Sequence, residues 1–254
     1  MDSIKFNNGK VQVVAHRGLC GLEPENTVAA FIAAGNRSYF GIECDVHVTK
    51  DEKFVVIHDV TTGRVAAKDV NVEESTFEEV RKVVLDNISR IERAELGDDV
   101  HYNNRCDLYV PEMHEYINVC KKYGKKCVLE IKTKMEPRHI EKMIEEIRKL
   151  DYLENVIFIS GHIDCLIEVR RILPEQKIQC LVAMHYNPYG KGLLDILNKY
   201  SFDLDIYYKL LTKEIIDEVH ANGHIVNCWT IDEKEEAEKA VELGVDQITT
   251  NILE

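Results

Sequence analysis

From its middle onward the chain repeats one unit, a short apolar strand followed by a stretch of helical periodicity, and this repetition constrains the fold most. The strand candidates are VLEI (128–131), VIFIS (156–160), IQCLV (178–182), FDLDIYY (202–208), HIVNCW (224–229) and DQITT (246–250). Between them, PRHIEKMIEEIRKL sets Pro137 in a first helical turn and Ile140, Met143, Ile144, Ile147 and Leu150 on one stripe. TKEIIDEVHANG stops at Gly223. Adding VQVVA (11–15) and GIECDV (41–46) gives eight strands, and eight alternating β and α units predict an α/β fold of the closed kind, a (β/α)8 TIM barrel. A doubly wound open sheet is the competing arrangement. A chain of 254 residues suits one such domain, spanning 1–254.

One interval departs from the rhythm. Between His58 and Val110 no barrel strand is visible, only STFEEVRKVVL, with Ser75 and Glu78 spaced as a capping box, and the polar stretch GDDVHYNNRCD. Compact domains rarely carry so long a loop, so residues 60–110 are expected to form a small insertion after the second strand, over one mouth of the barrel.

The net charge of −13 argues against a nucleic-acid partner or an anionic membrane surface, both of which need a basic patch. The N-terminal MDSIKFNNGK lacks the apolar stretch of a leader, and no apolar run approaches the ~18 residues of a membrane span. A cytoplasmic protein acting on a small molecule is the expectation. The eight cysteines (20, 44, 106, 120, 127, 165, 180 and 228) contain no CxxC pair, and Cys44, Cys127, Cys180 and Cys228 fall within apolar strands. They read as small, reduced core residues.

The second strand, GIECDVHVT (41–49), alternates cleanly. Ile42, Cys44, Val46 and Val48 share one face, and Glu43, Asp45, His47 and Thr49 the other. A parallel-sheet strand is covered on both sides, so two carboxylates on one face need an explanation. In a barrel that face points inward, toward the C-terminal mouth where catalytic groups collect. The other strand ends supply His16 and Arg17 (AHRG), His58 (EKFVVIHD, able to pair back as a hairpin), Glu130 and Lys132 (LEIK), and Trp229 (CWT). Singly, each has an ordinary explanation as a surface histidine, a charged strand exit, core packing or, in PENT (24–27), a helix cap at Asn26 or Thr27. Together, three carboxylates, two histidines and two cations at one mouth would repel or strain one another without a ligand.

The chemistry of the set is coherent. Glu43, Asp45 and Glu130 offer only oxygen and suit a hard divalent cation, Mg²⁺ or Ca²⁺. Arg17 and Lys132 suit phosphate oxygens. Two histidines flanking a phosphodiester could take one proton and give another.

The chain also resembles the glycerophosphodiester phosphodiesterases. The resemblance lies in HRG (16–18), PENT (24–27), ECDVHVTKD (43–51), VVIHD (55–59), TTGR (61–64), VPEMHEY (110–116), LEIK (129–132), WTID (229–232) and the late GVD, in family order over nearly the whole chain. It implies a TIM barrel with a small insertion, His16 and His58 as the acid/base pair, and Glu43, Asp45 and Glu130 as metal ligands. Arg17 and Lys132 would lie near phosphate, and Trp229 would line the pocket. It further implies metal-dependent release of glycerol 3-phosphate and an alcohol, the glycerol's neighbouring hydroxyl attacking phosphorus through a cyclic phosphate. Gln247, Asn251 and Gly161 depart from the family's usual residues, and are expected to alter the alcohol-side wall without touching the acid/base or metal set. Two other readings are a lysophospholipase D-type diesterase, which needs an acyl groove, and a non-catalytic glycerophosphodiester-binding barrel, which would not need both histidines. A Schiff-base enzyme using Lys132 is disfavoured by its charged setting.

Overall fold

The computed structural model describes the chain except for residues 1, 7, 8, 10, 87–104 and 184–191. Nine strands are formed: β1 (Gln12–Ala15), β2 (Gly41–Val48), β3 (Phe54–Val56), β4 (Lys126–Ile131), β5 (Val156–Ser160), β6 (Ile178–Val182), β7 (Asp203–Tyr207), β8 (Val226–Trp229) and β9 (Gln247–Thr250). Eight of them pair in parallel in the cyclic order β1-β2-β4-β5-β6-β7-β8-β9, β9 closing on β1. The ninth, β3, folds back antiparallel on β2 with Val46 opposite Val56, which returns the chain toward His58. The fold is a TIM barrel, as the repeating units predict.

The described helices are α1 (Val28–Gly35), α2 (Phe77–Arg81), α3 (Met113–Tyr123), α4 (Pro137–Lys149), α5 (Ile163–Ile172), α6 (Leu193–Tyr200), α7 (Lys213–Ala221) and α8 (Lys234–Leu243). Their stops and starts follow local chemistry. Thr27 caps α1 by accepting the Ala30 N–H at 3.1 Å, which leaves Asn26 for another task. On α4 the stripe Ile140, Met143, Ile144 and Ile147 is buried, as its spacing requires. The capping box of α2 is Thr76 with Glu79 rather than Ser75 with Glu78. The correction is one residue in register. Thr76 has the extended backbone of a cap, and Ser75 spends its carbonyl on the Lys50 N–H instead. Among the described residues no helix is long and apolar enough to cross a membrane.

Each barrel strand separates two environments. The outward face of β2, with Ile42, Cys44 and Val46, enters the large core between barrel and helices. There Tyr116 of α3 donates its hydroxyl proton to the Ile42 carbonyl at 2.6 Å. Inside the barrel, Val14, Val128, Ile157 and Ile159 form a small apolar plug. Beside it lies a polar layer in which Gln179 Nε2 donates to Gln247 Oε1 (2.8 Å), Gln247 Nε2 to Gln12 Oε1 (2.7 Å) and Asn227 Nδ2 to Thr249 Oγ1 (3.1 Å). These buried amides are tolerated because they satisfy one another. Gln247 therefore belongs to the barrel's interior packing rather than to the pocket wall where a family departure was expected to act.

The excursion after β2 has a core of its own, built from Val55, Ile57, Ala66, Val72, Val80, Val83, Leu85, Leu108 and Val110. Most of the polar stretch GDDVHYNNRCD lies outside the described residues.

The two faces of β2 should fail differently. Cys44 is fully buried among apolar neighbours. Cys44→Asp should therefore cost about 3–5 kcal/mol in denaturant melts, as a carboxyl forced into an apolar layer does. Cys44→Ala should cost roughly 1 kcal/mol. Equal stability of the two variants would place Cys44 on the wrong face.

Candidate active site

The chain turns sharply as soon as β1 ends. Arg17 and Gly18 both take positive φ, 52° and 78°. A Cβ on Gly18 would lie 2.7 Å from the Ala30 backbone, so the turn demands glycine there both for its φ and for its close packing on α1. The turn directs the Arg17 backbone N–H onto Glu43 Oε2 at 2.7 Å. It also brings the guanidinium between Glu25 (Nη1 to Oε1, 2.9 Å) and Asp45 (Nε to Oδ2, 3.4 Å).

Glu43 and Asp45 on β2 meet Glu130 on β4 because the register sets Asp45 beside Glu130. The three are 3%, 1% and 8% exposed, burial deep enough that three full charges could not coexist there unassisted. Each offers an oxygen within 4.8 Å of the others. Oxygens sharing one ion at ~2.1–2.6 Å stand no more than about 5 Å apart, so the three carboxyls could share a single hard divalent cation.

The carboxyls do not behave alike. Burial, then the charges of Asp45 and Glu130, push Glu43 well above the usual carboxylate range. Burial and Asp45 push Glu130 up to about 8. For Asp45 burial acts in the same direction, but Lys132 and Arg17 outweigh it and hold the group far below its ordinary value. Lys132 Nζ lies 3.1 Å from Glu130 Oε1 and 3.3 Å from Asp45 Oδ1. Asn26 completes the hold on Asp45. Its side-chain Nδ2 donates to Asp45 Oδ2 at 2.8 Å while its Oδ1 accepts the Asp45 backbone N–H at 3.3 Å.

The two histidines stand in contrasting surroundings. His16 Nδ1 is 2.7 Å from Asn251 Oδ1. Asn251 donates its own Nδ2 proton to Asp232 Oδ2 at 2.6 Å, so its oxygen is the acceptor for a proton on His16 Nδ1, and Nε2 carries the free lone pair. Burial and then Arg17 push the His16 imidazole down to about 4, which keeps it neutral at pH 7. His58 Nδ1 instead lies 2.6 Å from Asp59 Oδ1, and Arg64 Nε fixes Asp59 Oδ2 at 2.5 Å. Burial, with Arg17 and Lys132, holds the His58 pKa below the usual imidazole value, and Asp45 and Asp59 oppose the shift only in part.

His16, Arg17, Glu43, His58, Glu130 and Lys132 line one pocket of about 430 Å³, with Trp229 and Gly161 on its wall. All eight residues singled out in the sequence border the pocket or, for Asp45, bond directly to residues that do. The expectation that no family departure touches the acid/base set is wrong for Asn251, which orients His16. Sequence reading also missed Asn26, Glu25, Asp59 and Asp232. Asn26 and Glu25 sit in PENT, where the motif's function as a cap masked its contact with Asp45. Asp59 directly follows the VVIH strand end, a signal available and unused.

The residues 16–254 match the sequence profile of the glycerophosphoryl diester phosphodiesterase family. A glycerophosphodiester phosphodiesterase of Caldanaerobacter subterraneus is 31% identical over 248 residues, covering 95% of this chain and 94% of the relative. Human glycerophosphodiester phosphodiesterase 1 is 25% identical over 280 residues, covering 96% of this chain and 79% of the human protein. Among solved structures, an Oleispira antarctica phosphodiesterase in complex with the product sn-glycerol-3-phosphate superposes with a TM-score of 0.76 at 22% identity, covering 94% of this chain and 92% of that one. A Thermotoga maritima glycerophosphodiester phosphodiesterase gives 0.75 at 22% identity, covering 96% of each chain.

The unequal carboxyls make a stability prediction for the metal-free protein. At neutral pH the folded state must take up a proton at Glu43 that the unfolded chain does not hold, and Glu43→Gln removes that cost while keeping an oxygen for the Arg17 N–H, so the melting temperature after exhaustive chelation should rise by roughly 2–5 °C. Asp45→Asn strips Lys132 and Arg17 of their shared counter-charge and should lower it. The opposite order in calorimetric melts would show that the charges are not arranged this way.

Proposed function

The chain belongs to the glycerophosphoryl diester phosphodiesterase family, and we propose that it hydrolyses glycerophosphodiesters to glycerol 3-phosphate and an alcohol in a divalent-cation-dependent reaction. The observation that carries this reading is the meeting of three buried carboxylates with two cations and two histidines in one pocket. Glu43, Asp45 and Glu130 would hold the ion, Mg²⁺ or Ca²⁺. Bound there, a divalent cation supplies Lewis-acid polarisation of the phosphoryl oxygens.

The chain's own groups account for the rest. Arg17 and Lys132, already drawn to the cluster, present positive charge to the phosphate and to the charge that builds on it. His16 is neutral with Nε2 unprotonated, which suits it to take the proton of the attacking hydroxyl. His58, whose Nδ1 faces the Asp59 carboxylate, is the better placed of the two to hold a proton and deliver it to the leaving alcohol oxygen. Asn251 and Asp59 are positioning residues, each fixing the Nδ1 side of one imidazole. Trp229 forms part of the pocket wall against which the organic moiety packs. We read the whole chain as one catalytic domain, with residues 60–110 an insertion tied to the site by Arg64, which bonds both Glu25 and Asp59. The eight cysteines are all free, six of them buried, which favours a reducing compartment and a cytoplasmic protein.

A phosphorus NMR time course on glycerophosphocholine tests the reading. Glycerol 3-phosphate should accumulate, stop accumulating with EDTA, and resume with Mg²⁺ or Ca²⁺. Full turnover in thoroughly demetallated protein would end the metal-dependent account.

The histidine assignment makes a second prediction. His16→Ala and His58→Ala should each lower kcat by roughly 10²–10⁴-fold, with the double variant far less impaired than the product of the two losses. A single variant turning over at the wild-type rate would remove that histidine from proton transfer.

A further inference from the structure

One buried group on the pocket wall has no part in the chemistry above. β7 stands four steps round the ring from β2 in either direction, so Asp205 faces Glu43 and Asp45 across the barrel. Asp205 lines the pocket and is 2% exposed, and its Oδ1 has no hydrogen-bond partner among the described residues. Its neighbours do not supply one, because Gln179, Asn227, Gln247 and Thr249 bond to one another. A buried carboxyl oxygen without a partner is costly, and structures rarely keep one without a use. Burial alone pushes this carboxyl up to about 8, so near neutrality it is mostly an uncharged acid suited to an uncharged hydroxyl rather than to an ammonium group.

Depth identifies which part of a substrate reaches it. Asp205 is in register with Leu181 and Asn227, and two residues further on, Ala183 just past the end of β6 and Trp229 at the end of β8 lie above it toward the mouth. Only the inner end of a ligand can come so far. The alcohol that leaves, and that varies in size, must exit through the mouth, whereas the three-carbon glycerol can be enclosed.

We propose that Asp205 hydrogen-bonds the terminal glycerol hydroxyl, the one remote from phosphorus, and so selects deacylated glycerophosphodiesters over those acylated at that oxygen. The inference rests on the diesterase reading and specifies its substrate class. An acyl ester at this position would press its added carbonyl and chain against Asp205, below Ala183 and Trp229, where only a hydroxyl-sized group has room. The buried indole Nε1 of Trp229, also without a partner among the described residues, leaves a donor on the same wall.

The test compares metal-loaded wild type, Asp205→Ala and Asp205→Asn on three substrates. These are glycerophosphocholine, its analogue with propane-1,2-diol in place of glycerol, so that the terminal hydroxyl is hydrogen, and 1-hexanoyl lysophosphatidylcholine. Wild type should prefer glycerophosphocholine over the deoxy analogue by about 10–100-fold in kcat/KM, the loss expected when a buried acceptor goes unpaired. Hydrolysis of the acylated substrate should be weaker still. Asp205→Ala should act on the deoxy analogue within about threefold of wild type, its preference gone, while Asp205→Asn, which keeps an oxygen in place, should retain part of it. Neither variant should melt below wild type, since an unpartnered buried carboxyl adds nothing to the fold. Equal losses on both unacylated substrates, no loss on either, or ready hydrolysis of the acylated substrate by wild type would overturn the assignment while leaving the diesterase reading intact. A wild-type protein that hydrolyses none of the three would overturn both.

Discussion

Repulsion among three carboxyls buried at the mouth of a barrel is the constraint that shapes the rest of this molecule. Glu43, Asp45 and Glu130 bring as many as three negative charges into a space that water hardly enters, and Arg17 and Lys132 return only two positive ones. The imbalance appears within the protein as an uneven division. Asp45 takes both cations and the Asn26 amide and stays ionised, while Glu43 and Glu130 are driven toward their protonated forms. A divalent cation would remove the imbalance, since all three could then share a common partner.

The surrounding layer exists to hold that arrangement in place. Glu25 joins Arg17 to Arg64, and Arg64 reaches on to Asp59 and so to His58. On the other side, Asp232 holds Asn251, and Asn251 holds His16. Each histidine is thus fixed through Nδ1 by a neighbour that is itself fixed, and the two chains of contacts differ in charge. One ends on a neutral amide and the other on a carboxylate. That difference is the basis on which His16 is proposed as the base and His58 as the acid.

Much of this was legible from residues alone because the relevant signals are periodic or local. The βα repeat gave the barrel, and the two-residue spacing in ECD and LEIK placed Glu43 with Asp45 and Glu130 with Lys132 on inward faces. Register then decided what spacing could not. That Asp45 stands beside Glu130 is a property of the β2–β4 pairing. The contact of Asn26 with Asp45, across 19 positions, depends on the turn after β1, that of Asn251 with His16, across 235, depends on ring closure, and neither left a periodic trace. The box of α2 slipped by one residue because Ser75-Thr76 followed by Glu78-Glu79 satisfies the pattern in two registers, and the sequence contains nothing that prefers one. Asp205 escaped notice for a different reason. In DLDIYY it alternates as any half-buried strand residue would, and its lack of a partner becomes visible only once the barrel interior is assembled.

The central claim is that one hard cation binds where these three carboxyls converge, and calorimetric titration of the chelated protein with Mn²⁺ or Ca²⁺ tests it most directly. The account predicts one ion per chain for the wild type and no saturable binding when Glu43→Gln and Glu130→Gln are combined in a chain that still melts cooperatively. Undiminished binding by that variant would contradict it.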